Sequence, residues 1–319
     1  MAFNKFIKKA SDLVTSHEQT RAGFLSIALE KNRLGDPYVK NALAFKAMVK
    51  DTKTPRDFLT MPQVRPFLIS ASGLSDKSLN YLDETDRTLA IEELIKNFLE
   101  PAGDNYIDEA IYRYLLIKGD SVGGSMRNRI GALGEEKLIR CILSCMNVSG
   151  ITYKWIENIS GRFPCHDMTE NDVDIEKRMK ALYWKNPDGT DRLLAFDMNI
   201  AVVRKNVDIN LFNASYADFD RGRIASRTDK AIMMGELKGG IDPAGADEHW
   251  KTANTALERI RTSFASAGYS IQTSFVGAAI EDAMAQEIYE QLVAGTMTNA
   301  ANLTSNEQLV EYCNWLINI

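Results

Sequence analysis

Apolar positions in the N-terminal part of the chain recur at helical spacing. Ser11-Asp12-Leu13-Val14 opens one candidate helix, and Thr20 to Lys31 carries Phe24, Leu25, Ile27 and Leu29 on a second. Asp36-Pro37 predicts a fresh start, with Asp as cap and Pro in the first turn, for a helix through Phe45. Thr54-Pro55 and Met61-Pro62 mark breaks, and further helices follow over 85–99 and 106–116. Nothing here suggests strand pairing, so residues 1–122 read as a helical region. Ser121-Val122-Gly123-Gly124-Ser125 reads as a linker.

Past that linker the pattern mixes two periods. Arg127 to Arg140 predicts an amphipathic helix that tolerates Gly131 and Gly134, as helices packed closely on a sheet do. Glu135 or Glu136 could face a site on that sheet, although a surface carboxylate is the simpler reading of either. Apolar runs over 181–184 and 193–197 flank Asn186-Pro187-Asp188-Gly189, a hairpin signal. Ile200 to Val203 leads into the alternating run Val207-Asp208-Ile209-Asn210-Leu211-Phe212. Ala231 to Lys238 forms a nearly continuous apolar strand, followed by a helix over 246–265, a strand over 270–277 and closing helices, the last over 306–316. The order predicts an α/β (α+β) fold, a mixed central sheet flanked by helices, over residues 123–319.

Composition adds limits rather than direction. The 319 residues are 45% hydrophobic and 25% charged, as in an ordinary globular protein. No apolar run is long enough to span a membrane and the N-terminus lacks a secretory stretch, so a cytoplasmic, membrane-free protein is expected. Four cysteines show no CxxC pair and no disulfide framework; a zinc site from Cys141, Cys145, Cys165 and His166 is conceivable, but buried free thiols are the simpler reading. A net charge of −5 argues against indiscriminate nucleic-acid binding without excluding a local basic cleft. Arg204, Lys205, Arg221, Arg223, Arg227, Lys230 and Lys238 cluster around two candidate strands, where a solvated charged surface is the alternative.

The chemistry concentrates at Met234-Gly235-Glu236-Leu237-Lys238-Gly239-Gly240. On a strand Glu236 and Lys238 share one face while Leu237 points to the other. Asp208 lies on the preceding strand. Two carboxylates hold a hard cation through oxygen, and a neighbouring ammonium faces a phosphate, so the set suits a magnesium-dependent nuclease. Asp, Glu and Lys are common, and an edge strand with solvated charges would give the same letters. The apolar run before Glu236, the glycine pair after Lys238 and His249 in a chain with three histidines favour the nuclease.

The segment Gly235-Glu236-Leu237-Lys238-Gly239-Gly240-Ile241-Asp242-Pro243-Ala244-Gly245-Ala246-Asp247-Glu248-His249-Trp250-Lys251 resembles the catalytic segment of the AvaI/BsoBI family of type II restriction endonucleases, within the PD-(D/E)XK nuclease superfamily. Val207 stands where the superfamily motif has proline, a frequent departure. The resemblance implies a restriction-endonuclease-like fold, with residues 1–122 embracing DNA and 123–319 as the catalytic domain. It further implies a homodimer around double-stranded DNA that cuts the palindrome CYCGRG and leaves 5′ overhangs. Asp208, Glu236 and the Leu237 carbonyl would ligate Mg²⁺, and Lys238 would be the catalytic lysine.

His249, in the first turn of the following helix, could reach an attacking water as general base, or simply pack beside Trp250. Asp242 could accept a hydrogen bond from a base amino group, or serve only as an N-cap. Lys77 enters through the resemblance alone, as a donor to purine N7. Arg221, Arg223 and Arg227 suit phosphate contacts. Two competing readings remain at this level: a structure-selective repair or junction-resolving nuclease of the same fold, and a DNA-binding protein without catalysis.

Overall fold

The computed structural model describes residues 3–220 and 223–319, and the chain divides into two compact units. One comprises Leu25–Arg129; the other joins the residues up to Phe24 with Ile130–Ile319. Helix α1 (His17–Val49) and helix α4 (Tyr106–Val148) each run through a boundary between units.

The expected break at Asp36-Pro37 is absent, because Pro37 lies inside α1. Proline removes one backbone donor and normally kinks or ends a helix. Here Ala42, Phe45 and Val49 lie beyond it on a buried face, which keeps the helix going. The expected linker Ser121–Ser125 is likewise helical, in the middle of α4. Two adjacent glycines weaken a helix by about 1 kcal/mol each, which helical residues on both sides outweigh.

The Leu25–Arg129 unit is helical throughout its regular structure, as its spacing implied. Helices α2 (Arg65–Ala71) and α3 (Glu84–Leu94) pack with parts of α1 and α4. Its core gathers Phe45, Phe58, Leu68, Ile91, Leu94 and Tyr106. Phe67 stacks between Phe45 and Tyr114, with ring centroids 3.9 Å apart on each side. Asp83 caps α3 by accepting from Thr85 N and Asp86 N, the capping geometry that satisfies a helix's first free donors.

The second unit is built on one eight-stranded sheet in the order β2-β1-β3-β4-β5-β6-β7-β8. The strands are β1 (Tyr153–Glu157), β2 (Cys165–Asp167), β3 (Met179–Lys185), β4 (Asp191–Ile200), β5 (Lys205–Phe212), β6 (Ala231–Lys238), β7 (Gln272–Gly277) and β8 (Asn299–Asn302). Pairing is antiparallel from β2 across to β6 and parallel from β6 through β8. The expected hairpin is β3–β4, closed at Gly189 with φ 84°. The mixed sheet flanked by helices matches the expected fold class.

Helix α5 (Tyr216–Asp220) follows β5; α6 (Ala246–Ser266) is the β6–β7 crossover, and α7 (Asp282–Ala294) connects β7 to β8. Helix α8 (Asn306–Ile317) ends the chain. From α6, Trp250, Ala253, Leu257, Ile260 and Phe264 enter the core beside Met234 and Phe275. Strand β8 escaped the sequence reading because Asn299-Ala300-Ala301-Asn302 lacks β-branched and aromatic residues. It is stapled instead by buried polar contacts. Asn302 Nδ2 donates to Leu13 O and Thr15 Oγ1 at 2.9 Å, and Asn4 Nδ2 donates to Gln308 O at 2.7 Å. These contacts bind the N-terminal residues to the sheet unit. No helix among the described residues is long and apolar enough to cross a membrane.

Candidate active site

Ile209 pairs with Gly235 across the antiparallel β5 and β6, so one residue back along β5 and one on along β6 Asp208 stands opposite Glu236. Leu237, facing away from Glu236, donates its backbone N–H to Asp208 Oδ2 at 2.8 Å. Lys238 returns to the face of Glu236 and bridges both acids, with Nζ 2.8 Å from Glu236 Oε2 and 3.3 Å from Asp208 Oδ2. The three side chains singled out from sequence therefore converge. Glu236 is only 4% exposed, so this is no solvated edge strand.

Burial and then the neighbouring Asp208 charge push the Glu236 carboxyl up to about 7. Burial acts to lower Lys238, but the charges of Asp208 and Glu236 outweigh it and hold the ammonium above the usual lysine range. Two acids sharing one ammonium leave unbalanced negative charge in a partly desolvated place, which a divalent cation would relieve. The donors suit such a cation: two carboxylates are the hard oxygen ligands that Mg²⁺ takes alongside waters and substrate phosphates. Among the described residues no group of three or more His, Cys, Asp or Glu is disposed to hold a metal, so water, phosphate or main-chain oxygens would complete the shell.

Helix α4 approaches this site through glycine. A Cβ on Gly134 would lie 2.6 Å from Gly239 Cα, and one on Gly239 would lie 3.0 Å from Ile130 O. The expectation that helix glycines mark close packing on the sheet holds for Gly134 and not for Gly131, whose Cβ would meet nothing within 4 Å. Glu135 follows directly and is half-buried rather than a plain surface carboxylate. Burial, then the charge of Asp197, push it up to about 7, with Asp208 contributing further. Asp197 on β4 has a left-handed φ of 51°, a conformation that non-glycine residues adopt uncommonly. Lys180 donates to its carbonyl at 2.8 Å. Asp197 and Lys180 were not anticipated, because charges bounding apolar strands carry no local mark of what faces them. Asn210, on the face of Asp208, is wholly buried with Oδ1 unpartnered.

Past β6 the chain turns through Gly239–Gly245. Ile241 is buried, and a Cβ on Gly23 would lie 2.4 Å from its Cγ1, so the start of α1 pins the loop. His249 is exposed, and its ring lies along this loop: a Cβ on Gly240 would be 3.2 Å from Cε1, and one on Gly245 3.5 Å. Its neighbour Trp250 turns into the core and donates Nε1 to Glu287 at 2.7 Å. Asp242 is exposed, and Oδ1 accepts from Ala244 N at 3.0 Å, which caps the short 3₁₀ turn Pro243–Gly245.

Arg223 is exposed, whereas Arg227 forms a two-point pair with Asp229 at 2.7 and 2.9 Å. Arg221 lies outside the described residues. Lys77, exposed and just before the 3₁₀ turn Ser78–Asn80, belongs to the Leu25–Arg129 unit rather than to the sheet unit that holds the site.

An acid on one strand facing an acid on the next, with a lysine two residues on, at the parallel–antiparallel junction of a mixed sheet, is the arrangement of a PD-(D/E)XK-type nuclease. The model of the BsobI restriction endonuclease family matches residues 3–319. The type II restriction enzyme BsoBI of Geobacillus stearothermophilus is 46% identical over 318 residues, 99% of this chain and 98% of that one. The type II restriction enzyme AvaI of Nostoc is 47% identical over 319 residues, the whole of both chains, and so is that of Anabaena variabilis. The chain belongs to the BsobI restriction endonuclease family. It is a type II restriction enzyme, a site-specific deoxyribonuclease acting on duplex DNA.

Proposed function

We propose that this enzyme hydrolyses both strands of duplex DNA at the degenerate palindrome CYCGRG, using Mg²⁺, leaving 5′ overhangs and acting as a homodimer. The sequence and overhang follow from the family resemblance, and a palindromic target makes a two-fold pair of chains the natural assembly. The single observation that carries the chemistry is the contact of Lys238 with both Asp208 and Glu236.

Asp208, Glu236 and the Leu237 carbonyl would hold Mg²⁺, which when bound supplies charge neutralisation at the phosphate and acidifies a water. The Leu237 N–H fixes the Asp208 carboxylate, so that one acid is oriented before substrate arrives. Lys238 stabilises the negative charge that grows on the phosphate oxygens, and its amine is kept protonated by the same two acids. His249 takes the proton of the attacking water, its ring held along the Gly240–Gly245 loop. Asp242 reads an exposed base amino group with the oxygen not used for capping, and Lys77 donates to purine N7, which both purines present. Arg221 and Arg223 contact phosphates, as does Arg227 once freed from Asp229.

Digestion of long duplex DNA with and without Mg²⁺ tests the reading. Discrete fragments ending at CYCGRG sites, formed only with the cation, are expected. Cuts confined to branched or damaged DNA would point to a repair nuclease of the same fold. Shifted DNA without cleavage would point to a binding protein.

A further inference from the structure

In the Leu25–Arg129 unit, one face of α1 is apolar and yet open to solvent. Leu25, Leu29, Val39 and Leu43 are between 48% and 64% exposed, whereas Ala42, Phe45 and Val49 on another face of the same helix join the core. Together with Asn32 and Asp36, also exposed, the four follow one another at spacings of four, three, four, three and four residues. That is the a/d repeat by which one helix packs against a second. The set is also symmetric about residue 34. Turned end for end, Leu25 falls on Leu43, Leu29 on Val39 and Asn32 on Asp36. Beside it a groove of about 570 Å³ runs between α1 and α4, lined in part by Ala28, Gly35, Val39, Leu115 and Val122. A Cβ on Gly35 would meet nothing within 4 Å, so another helix can come close there.

We propose that this face of α1 docks a second copy of the chain, the two helices packing antiparallel and in register about residue 34. This contact would hold the homodimer inferred for a palindromic target, and it rests on that reading. The outer layers then set leucine against leucine or valine, and both central layers set an amide against a carboxylate. Asn32 Nδ2 donates one hydrogen to Ala28 O at 3.0 Å and has a second N–H to give. Asp36 brings its own counter-charge, Lys40, at 2.5 Å along the helix. Arg33 would meet its own copy beside the axis, but Glu30 neutralises it through contacts of 2.7 and 2.8 Å. A parallel pair would instead set Asp36 against the partner's Asp36, and facing like charges are costly. The polar central layers fix orientation and register, as a polar residue in a coiled-coil seam does, at some cost in affinity.

Analytical ultracentrifugation of the full-length protein without DNA, beside Leu29→Glu, is the first arm of the test. The substitution enters each dimer twice and should raise the dimer dissociation constant by about 10–100-fold. Leu29 is exposed, so circular dichroism should show the variant folded. In the second arm a chain carrying both Leu29→Cys and Val39→Cys is treated with a thiol cross-linker shorter than the roughly 15 Å that separates the two positions along one helix. Covalent dimers whose peptide map joins position 29 to position 39 are expected, and this arm decides the matter if Leu29→Glu folds poorly. Position 29 joined to position 29 would mean a parallel pair and overturn the proposal. A dimer that persists in Leu29→Glu without the 29–39 link would overturn this surface and leave the homodimer standing. A native protein that sediments only as a monomer would remove both.

Discussion

Gly134 and Gly239 meet so closely that a single added methyl on the first would sit 2.6 Å from the α-carbon of the second. The contact brings α4 against the end of the strand that carries Glu236 and Lys238, and it delivers Glu135 toward Asp208. It explains why a long helix tolerates glycine at this turn.

Gly134→Ala should therefore push α4 off the sheet, destabilising the protein by about 1–3 kcal/mol and lowering cleavage. Gly131→Ala, three residues away with open space around its Cβ, is the control. It should be neutral or more stable by about 0.5–1 kcal/mol. Thermal unfolding of the two variants side by side checks this; equal losses would contradict the packing argument.

The raised carboxyls make stability depend on pH in a direction opposite to that of ordinary acids. Glu236 and Glu135 are shifted from 4.5 to about 7. Between those values the native state binds more protons than the unfolded chain, so stability falls as pH rises and levels off above 7. Removing the titration with Glu236→Gln should flatten the decline by about 1–3 kcal/mol in metal-free buffer. Unfolding midpoints from pH 4.5 to 8 for both proteins measure it; parallel curves would refute it. Added Mg²⁺ should stabilise the native protein most above pH 7, where Glu236 is ionised.

Lys238→Ala removes the ammonium shared by the two acids. Cleavage should fall by about 10²–10³-fold, while specific binding to duplex DNA in Ca²⁺ is largely kept. Rapid-quench cleavage and gel-shift titration separate the two. Equal losses of both would mean that the lysine binds DNA rather than assisting chemistry.

His249→Ala should slow cleavage by about 10²–10⁴-fold and remove a limb from the pH–rate profile. Gly240→Ala is a subtler probe, since its methyl would press on the ring at 3.2 Å. Partial loss with an unchanged binding constant is expected. A normal cleavage rate in His249→Ala would eliminate the general-base role.

Arg223 and Arg227 should behave differently despite equal charge. Arg227 is already neutralised by Asp229, whereas Arg223 is exposed. Arg223→Ala should weaken binding across all sequences and reduce the salt slope by about 1; Arg227→Ala should change it less. Affinities measured over a range of salt concentrations distinguish them.

Period-two and period-3.6 patterns were enough to locate β5, β6, α6 and α8, and to put Asp208 on one strand with Glu236 and Lys238 on another. Those elements bury a regular face, so the burial is written into the spacing. β1, β2 and β8 were not legible, and neither was the continuity of α1 through Pro37. Their stability comes from partners distant in sequence. Asn299-Ala300-Ala301-Asn302 is held as a strand by Asn4, Thr15 and Gln308, which bond Asn299 Oδ1, Asn302 Nδ2 and the Asn302 backbone N–H.

The same division runs through the site. Residue type and alternation alone put an acid, and then an acid and a lysine, on one face of two strands, because alternation is a property of any extended backbone. That those strands are neighbours, in a register that sets Asp208 opposite Glu236, depends on antiparallel pairing across intervening chain. The arrival of Glu135, Asp197 and Lys180 beside them is likewise tertiary. Desolvation acts on a carboxyl only once other elements have covered it, so the shifted acids of this site exist in the folded protein and nowhere in the local sequence.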